Sequence, residues 1–135
     1  MKVLRAVFFA TLFAFNSLAF GQTSPGDVVV DVPFAFSVAG EKLPAGHYIV
    51  AGQNDLIKIF SRNTRAFYIP THSATRNKAD GSKLVFHRYG DSYFLSELWV
   101  TGNTIGKELF PSRAERELAS EKAEMELAVV RPHQK

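Results

Sequence analysis

A strict alternation of apolar residues runs through residues 27–40, DVVVDVPFAFSVAG. The even positions from 28 to 38 all carry valine or phenylalanine: Val28, Val30, Val32, Phe34, Phe36 and Val38. A period of two places these side chains on one face of a β-strand. Pro33 has no N–H group and cannot complete a ladder inside a sheet. The pattern predicts a long strand with its even face in the core, which either lies at a sheet edge or bends at Pro33 and passes between two sheets.

The first residues have the layout of a secretory signal peptide. Two basic residues precede an apolar run over residues 6–15, and small and polar residues follow it. The run is shorter than the roughly 20 residues that a membrane-spanning helix needs. We expect cleavage at residues 19–22, which gives a signal peptide at residues 1–21 and one mature domain at residues 22–135. The protein would then be periplasmic or secreted, and an uncleaved N-terminal anchor is the alternative.

The charge balance and the lack of cysteine narrow the class of protein. The chain has 16 Lys and Arg residues against 13 Asp and Glu residues. Because two of the basic residues lie in the signal peptide, the mature domain is nearly neutral. Such a domain lacks the basic patch that attracts nucleic acid or anionic membranes, and we expect neither as a partner. Without cysteine, the exported domain must be stabilised by its hydrophobic core alone.

Turn-forming residues divide the β-rich region, which spans about residues 27–109, into short strands. Glycine, proline, asparagine and aspartate cluster between apolar runs, as they do in β-turns. After the first strand, the runs predict strands at residues 47–51, 56–60, 66–71, 83–89, 92–100 and 104–109, with a polar loop at residues 73–82. Short strands with frequent turns favour a small antiparallel β-sandwich or a flattened barrel of about seven strands.

The clearest prediction concerns the two strands on either side of Gly90–Asp91. A two-residue loop of this kind favours a tight hairpin turn and fixes the register of the strands. The opposed residues are then Tyr89 with Ser92, Arg88 with Tyr93, His87 with Phe94, and Phe86 with Leu95. Both strands are largely apolar on both faces, which predicts a central place in the sheet.

Alternation beyond this hairpin places Trp99 in the core. The residues predicted on the same face are Leu84, Phe86, Tyr93 and Leu95. A second turn at Gly102–Asn103 would fold the last strand back, so that the indole ring covers Gly106. The same register sets Glu97 opposite Glu108, which is unfavourable, and we therefore expect the last strand to fray at this point.

The apolar period changes to that of a helix near the C-terminus. Ser112 and Glu115 form a capping box, in which each side chain satisfies a backbone N–H group of the first turn. Apolar residues recur at helical spacing up to Val129, and Pro132 ends the pattern. This predicts one C-terminal α-helix over about residues 112–130. Its narrow apolar stripe favours docking on the sheet, with the docking of a partner as the alternative.

Three segments give the chain a resemblance to a known group of sequences. They are VPFAFSVAGEKLPAGHYIV, LVFHRYGDSYFLSELW and GKELFPSRAERELA. In this order they resemble a family of short, exported bacterial proteins of uncharacterised function, over nearly the whole mature chain. The patterns LPAGxY and SRAEREL are the most specific parts. The resemblance implies a small β-domain behind a signal peptide, and it implies no activity and no catalytic residues.

Motifs for catalysis or metal binding are incomplete in this sequence. GNTIGKE at residues 102–108 lacks one residue of the phosphate-loop spacing, and Glu108 replaces the metal-binding hydroxyl, so a hairpin explains its glycines better. No two histidines stand two or four residues apart, as a metal site on one element would require. Asp27 and Asp31 are typical of an edge strand kept soluble by charge. We therefore expect no cofactor and no metal.

The hairpin tip is the remaining candidate for a binding site. Its residues are His87, Arg88, Tyr89, Asp91 and Tyr93. Arginine, tyrosine and aspartate are common in sites that bind proteins or glycans, although an arginine facing a tyrosine is also an ordinary cross-strand pair. The function that we expect is a non-enzymatic binding module of the cell envelope or secreted fraction. The alternatives are a structural subunit of an envelope assembly and a hydrolase with an unrecognised site.

Overall fold

A computed structural model describes residues 27–62, 64–121 and 124–132. The predicted signal peptide, its cleavage site and residues 22–26 of the mature domain lie outside these residues. Within them the chain forms ten strands and one helix. The first five strands are β1 Val28–Val32, β2 Phe36–Val38, β3 Glu41–Leu43, β4 Gly46–Gln53 and β5 Leu56–Phe60. The remaining elements are β6 Phe67–Thr75, β7 Lys83–Tyr89, β8 Ser92–Trp99, β9 Ile105–Leu109, α1 Arg113–Ser120 and β10 Met125–Val130.

The strands form one bent, unclosed sheet. Antiparallel pairing runs in the order β1, β4, β5, β6, β9, β8, β7 and β10. β6 bends the sheet, because residues 67–70 pair with β5 and residues 71–75 pair with β9. The bend gives a first half, built on β1, β4 and β5, and a second half, built on β9, β8, β7 and β10. β2 and β3 join the second half at β8.

The first strand of the sequence is divided at the proline. β1 pairs with β4 in the first half of the sheet, whereas β2 runs parallel to β8 in the second half. Pro33 lies between the two strands, outside either ladder. The strand therefore bends at Pro33, as the second alternative predicted, but it passes between two halves of one sheet rather than between two sheets. The buried members of the apolar face are Val28, Val30, Val32, Phe36 and Val38, and Phe34 is partly buried.

One hydrophobic core lies between the two halves. The ring of Phe36 in β2 contacts the ring of Tyr48 in β4, with centroids 5.2 Å apart. The Tyr48 hydroxyl donates to the carbonyl of Pro44 at 2.5 Å, and burial raises its pKa. A buried phenol needs a hydrogen-bond acceptor. The LPAG turn therefore reverses the chain and also supplies the carbonyl that stabilises Tyr48 in the core. Each large apolar side chain here stabilises the fold by roughly 1.5 to 3 kcal/mol.

The central hairpin has the predicted register only up to Phe86. All four predicted pairs are present, from Tyr89 with Ser92 to Phe86 with Leu95. The next residue, Val85, lies opposite Glu97, so Ser96 is the extra residue of a β-bulge. The bulge inverts the faces beyond it. Leu98 therefore joins the core, and Trp99 is buried on the outer face of the sheet, so its predicted burial is confirmed and its predicted face is wrong.

The last predicted strand does not fray. Glu97 lies opposite Glu108 as expected, yet β9 continues to Leu109. β9 remains ordered because β6 pairs along its whole length on the other side, from Thr71 with Leu109 to Thr75 with Ile105. This pairing also extends β6 into the segment predicted as a polar loop.

The predicted C-terminal helix is too long. α1 covers only Arg113–Ser120, and residues 125–130 form β10 along the free edge of β7. The serine half of the predicted capping box is confirmed, since the Ser112 hydroxyl accepts from the N–H of Glu115 at 3.3 Å, whereas the Glu115 carboxylate bonds His87. Backbone pairing with β7 outweighs the weak helical pattern after Ser120, because an open central strand offers six partners in register. No helix in the described part of the chain is long and apolar enough to cross a membrane.

The fold class is correct in outline and wrong in detail. The chain is mainly β with one helix near the C-terminus, as predicted. The sheet is not a closed barrel, and one pair of strands is parallel. Ten strands replace about seven, because the first strand is divided, β3 forms where a turn was expected, and β10 replaces part of the helix.

Candidate functional site

The β7–β8 hairpin does not bring the five predicted tip residues onto one surface. Strand alternation separates them into Arg88 and Tyr93 on one face and His87 and Tyr89 on the other, while Asp91 is exposed in the turn. A ligand at the tip could therefore not contact all five side chains at once. The sequence placed them close together along the chain, but adjacent strand residues point in opposite directions.

Arg88 and Tyr93 form a structural pair on the first of these faces. The guanidinium of Arg88 lies 5.4 Å from the centroid of the Tyr93 ring, and its Nε donates to the carbonyl of Gly90 at 2.8 Å. The Tyr93 ring stacks on Phe34, with centroids 3.8 Å apart. These contacts stabilise the turn and cover the bend after Pro33, so both side chains have a structural role.

His87 and Glu115 meet on the opposite face. Nδ1 of His87 donates to Oε1 of Glu115 at 2.6 Å, and the Glu115 side chain is only 7 % exposed. This hydrogen bond, together with the carboxylates of Glu115, Glu97 and Glu108, raises the pKa of His87 against the opposing effect of burial. Glu115 is the buried residue of α1, so the pair attaches the helix to the sheet.

A row of carboxylates lies next to this pair. Glu97 and Glu108 are directly opposed on β8 and β9. Each has its own partner: the indole N–H of Trp99 donates to Glu97 at 3.1 Å, and Nε2 of His72 lies 3.3 Å from a carboxylate oxygen of Glu108. These partners explain how the sheet tolerates the opposed charges. In the described residues, no group of three or more His, Asp or Glu side chains is arranged to hold a metal ion.

An open depression lies beside the loop that follows β6. Its lining residues are Arg76, Lys78, Ala79, Asp80 and Lys83. Arg76 is engaged in the fold, since it donates to the carbonyls of Asn103 and Asp80, both at 2.9 Å. A backbone hydrogen bond from Gly81, followed by nearby basic residues, lowers the pKa of the exposed Asp80. Because its lowered pKa keeps Asp80 ionised near neutral pH, its carboxyl group does not suit the role of a proton donor in acid–base catalysis.

The outer face of the first half of the sheet carries a different kind of surface. We call it the tyrosine face, and it consists of Val29, Ile49, Lys58, Phe60 and Tyr68. These residues are neighbours across strands, with Val29 beside Ile49, Ile49 beside Phe60, and Lys58 beside Tyr68. The alternating residues of β5, Ile57 and Ile59, point into the core. The tyrosine face therefore spans four adjacent strands.

Two aromatic rings flank the lysine of the tyrosine face. Nζ of Lys58 lies 4.9 Å from the centroid of Phe60 and 5.8 Å from that of Tyr68. Tyr68 is 58 % exposed. On the same face of β1 and β4, the next pair after Val29 and Ile49 is Asp31 and His47. Nδ1 of His47 lies 2.8 Å from Oδ1 of Asp31. The sequence pattern predicted LIKIF and AFYIPT only as separate strands, and it gave no signal that Lys58 and Tyr68 would be neighbours on this face.

The comparisons with known proteins add no family assignment. The sequence matches no protein-family model, and no significant match is found among curated proteins or solved structures.

Proposed function

We propose that this chain is a non-enzymatic, exported binding module, and that the tyrosine face of its sandwich-like sheet binds a polysaccharide of the cell envelope. The observation that carries the proposal is an exposed tyrosine beside a lysine and a second ring on the outer face of adjacent strands. Export rests on the layout of residues 1–21 and on the resemblance to exported bacterial proteins.

The chemistry of the tyrosine face suits a sugar chain. The apolar C–H face of a pyranose packs against an aromatic ring, and Tyr68 exposes such a ring to solvent. Lys58 supplies an amine for hydroxyls beside it, and His47 and Asp31 offer further hydrogen-bonding groups at a distance along the same side of the sheet. Because the tyrosine face spans four adjacent strands, a long chain could contact more of it than the ring alone.

A protein partner fits this face less well. Stable protein interfaces bury about 1,600 Å² and centre on aromatic anchors in desolvated pockets. Here Phe60 and Tyr68 flank a lysine, and Tyr68 is largely exposed rather than seated in a desolvated pocket. The arrangement favours weak stacking repeated along a polymer over one tight contact.

The test is co-sedimentation with purified peptidoglycan sacculi, using the full chain purified after export. Tyr68→Ala should reduce binding by about tenfold, which corresponds to about 1.4 kcal/mol and to the loss of one stacked ring. Tyr68→Phe should bind like the parent, because the ring remains. Phe110→Ala is the matched control, since Phe110 is equally exposed, at 61 %, and lies outside the tyrosine face. Equal binding by Tyr68→Ala and the parent would reject the proposal.

A second candidate is an accessory subunit of an envelope assembly. β1 is the end of the strand order, and among the described strands it pairs only with β4. β10 lies close to part of β1 without pairing with it, and the remaining edge of β1 could accept a strand from another protein. In that case the backbone amides of β1 would become protected from hydrogen exchange in an envelope complex. Polysaccharide binding would instead cover side chains of the tyrosine face and leave the exchange of the β1 amides unchanged.

A further inference from the structure

The open depression beside the loop that follows β6 collects positive charge. Asp80 is the one acidic residue of its lining, and the basic residues of the lining are Arg76, Lys78 and Lys83. A fourth basic residue, Arg131, lies beside them, with Nη2 3.7 Å from Oδ2 of Asp80. These side chains bring four positive charges against one negative charge, although the mature domain as a whole is nearly neutral.

Arg76 places a fixed charge in the wall of the depression. Its Nε donates to the carbonyl of Asn103 and its Nη2 donates to the carbonyl of Asp80, both at 2.9 Å. The guanidinium also lies 4.9 Å from the centroid of the Trp99 ring. Because backbone carbonyls carry no formal charge, these contacts hold the side chain in place and leave its positive charge uncompensated.

Two further contacts join the loops around the depression. The N–H of Ser82 donates to the Thr101 hydroxyl at 3.1 Å, and the N–H of Thr101 donates to the Ser82 hydroxyl at 2.8 Å. The N–H of Gly102 donates to the carbonyl of Asp80 at 3.2 Å. The lining therefore rests on two loops that are bonded to each other, so a ligand would have little chain to order when it binds.

Lys78 and Lys83 carry the free cations of the depression. Neither amino group forms an ion pair or a hydrogen bond with another group in the described part of the chain. The pKa of Asp80 is lowered, first by the backbone hydrogen bond from Gly81 and then, against desolvation, by the surrounding basic side chains. A carboxylate in this depression thus already lies in a positive field, and two cations remain to receive a second anion.

We propose that this depression binds a phosphate group, free or as a monoester, through the amino groups of Lys78 and Lys83. Such a group carries about two negative charges near neutral pH and has three strong acceptor oxygens, so it can accept from both ammonium groups at once. A second carboxylate would bring only one charge and would complement the cluster less well. The site is independent of the tyrosine face, because Tyr68 lies near the start of β6 and Arg76 follows its end.

Amide NMR titration of the full chain purified after export tests phosphate binding. Inorganic phosphate and glycerol phosphate are the two probes, and acetate at the same ionic strength is the control for an anion with a single charge. Phosphate should shift the backbone signals of residues 78–83 at concentrations at which acetate does not. A shift with glycerol phosphate alone would assign the site to esterified phosphate, and a shift with inorganic phosphate alone would assign it to the free ion.

Charge variants test the assigned contacts. Lys78→Gln and Lys83→Gln should each weaken phosphate binding by about fivefold, which converts to about 1 kcal/mol, the upper end for an exposed ion pair. Lys42→Gln is the matched control, because Lys42 is exposed on β3, outside the depression, and its replacement removes the same charge. Asp80→Asn should instead strengthen binding, since it removes the competing charge and keeps an oxygen that can accept from Gly81.

The lysine variants should melt like the parent, because neither amino group is paired with a described side chain. Phosphate shifts that are no larger than those with acetate, or that spread evenly over the surface, would overturn the proposal. So would Lys78→Gln and Lys83→Gln variants that bind phosphate as well as Lys42→Gln does, or an Asp80→Asn variant that binds phosphate more weakly than the parent.

Discussion

The indole ring of Trp99 lies directly over the backbone of Gly106 on the neighbouring strand. A Cβ atom at position 106 would come within 2.6 Å of Cε3 of Trp99 and within 2.8 Å of the carbonyl oxygen of Leu98. The guanidinium of Arg76 lies 4.9 Å from the centroid of the indole ring. Glycine is therefore required here by close packing, and the ring is fixed between a strand and an arginine.

Replacing this glycine should destabilise the domain. In Gly106→Ala, the new methyl group must displace the indole ring or a backbone oxygen, and overpacking of this kind costs about 1 to 3 kcal/mol. Gly46→Ala is the matched control, because a Cβ there would meet its nearest neighbour, Tyr48, at an ordinary 3.9 Å. Urea unfolding should separate the two variants. Equal stability of both would show that Trp99 moves aside freely.

A charge on the inner face of β2 should have a much larger effect than one on the adjacent outer position. Phe36 is 1 % exposed and contacts Tyr48, so Phe36→Asp buries an unpaired charge at a cost of several kcal/mol and should unfold the domain. Ser37 is half-buried and lies opposite Lys42, so Ser37→Asp should cost little. Thermal melts followed by circular dichroism would check this. Similar melting of both variants would contradict the assigned faces.

The His87–Glu115 pair should make stability depend on pH. Because folding raises the pKa of His87, the stabilisation from its charged form is complete below the unfolded value of about 6.5 and is lost as pH rises through the higher folded value. The free energy of unfolding should therefore fall across this window. Glu115→Gln removes the main cause of the raised pKa and should flatten the profile.

Glu117→Gln is the control for this pH dependence. Glu117 lies on the same helix but is 62 % exposed in its side chain and pairs with Arg113. Its replacement should leave the slope of the profile unchanged. The measurement is urea unfolding at a series of pH values. A parent profile with the slope of Glu115→Gln would show that the pair does not couple protonation to folding.

Local patterns predicted those features that depend on neighbours in the chain. The Gly90–Asp91 turn determines the register of its hairpin, because two residues leave the flanking strands few arrangements. The helix cap at Ser112 was also predictable from the sequence, since its partner, Glu115, is only three residues away. The bulge at Ser96 carried no local signal, and for that reason the face of Trp99 was assigned wrongly while its burial was correct.

The candidate site was less predictable than the fold. The hairpin tip was selected for its residue types, yet alternation separates His87 from Arg88. The tyrosine face combines Lys58 and Tyr68 from different strands, and their proximity follows from the pairing of β5 with β6. Residue composition along one segment could not reveal a surface that forms across four strands.

The sequence by itself determined that this chain is mainly β, that the even residues of its first strand face a core, and where its central hairpin turns. These properties follow from periodicity and turn chemistry, which act over a few residues. Only the tertiary structure decided that the chain passes from one half of the sheet to the other at Pro33, that residues 125–130 form a strand, and that His87 meets Glu115. The reason is that the open edge of β7 and the space beneath α1 exist only after distant segments have paired, and the free energy of this pairing exceeds weak local propensity.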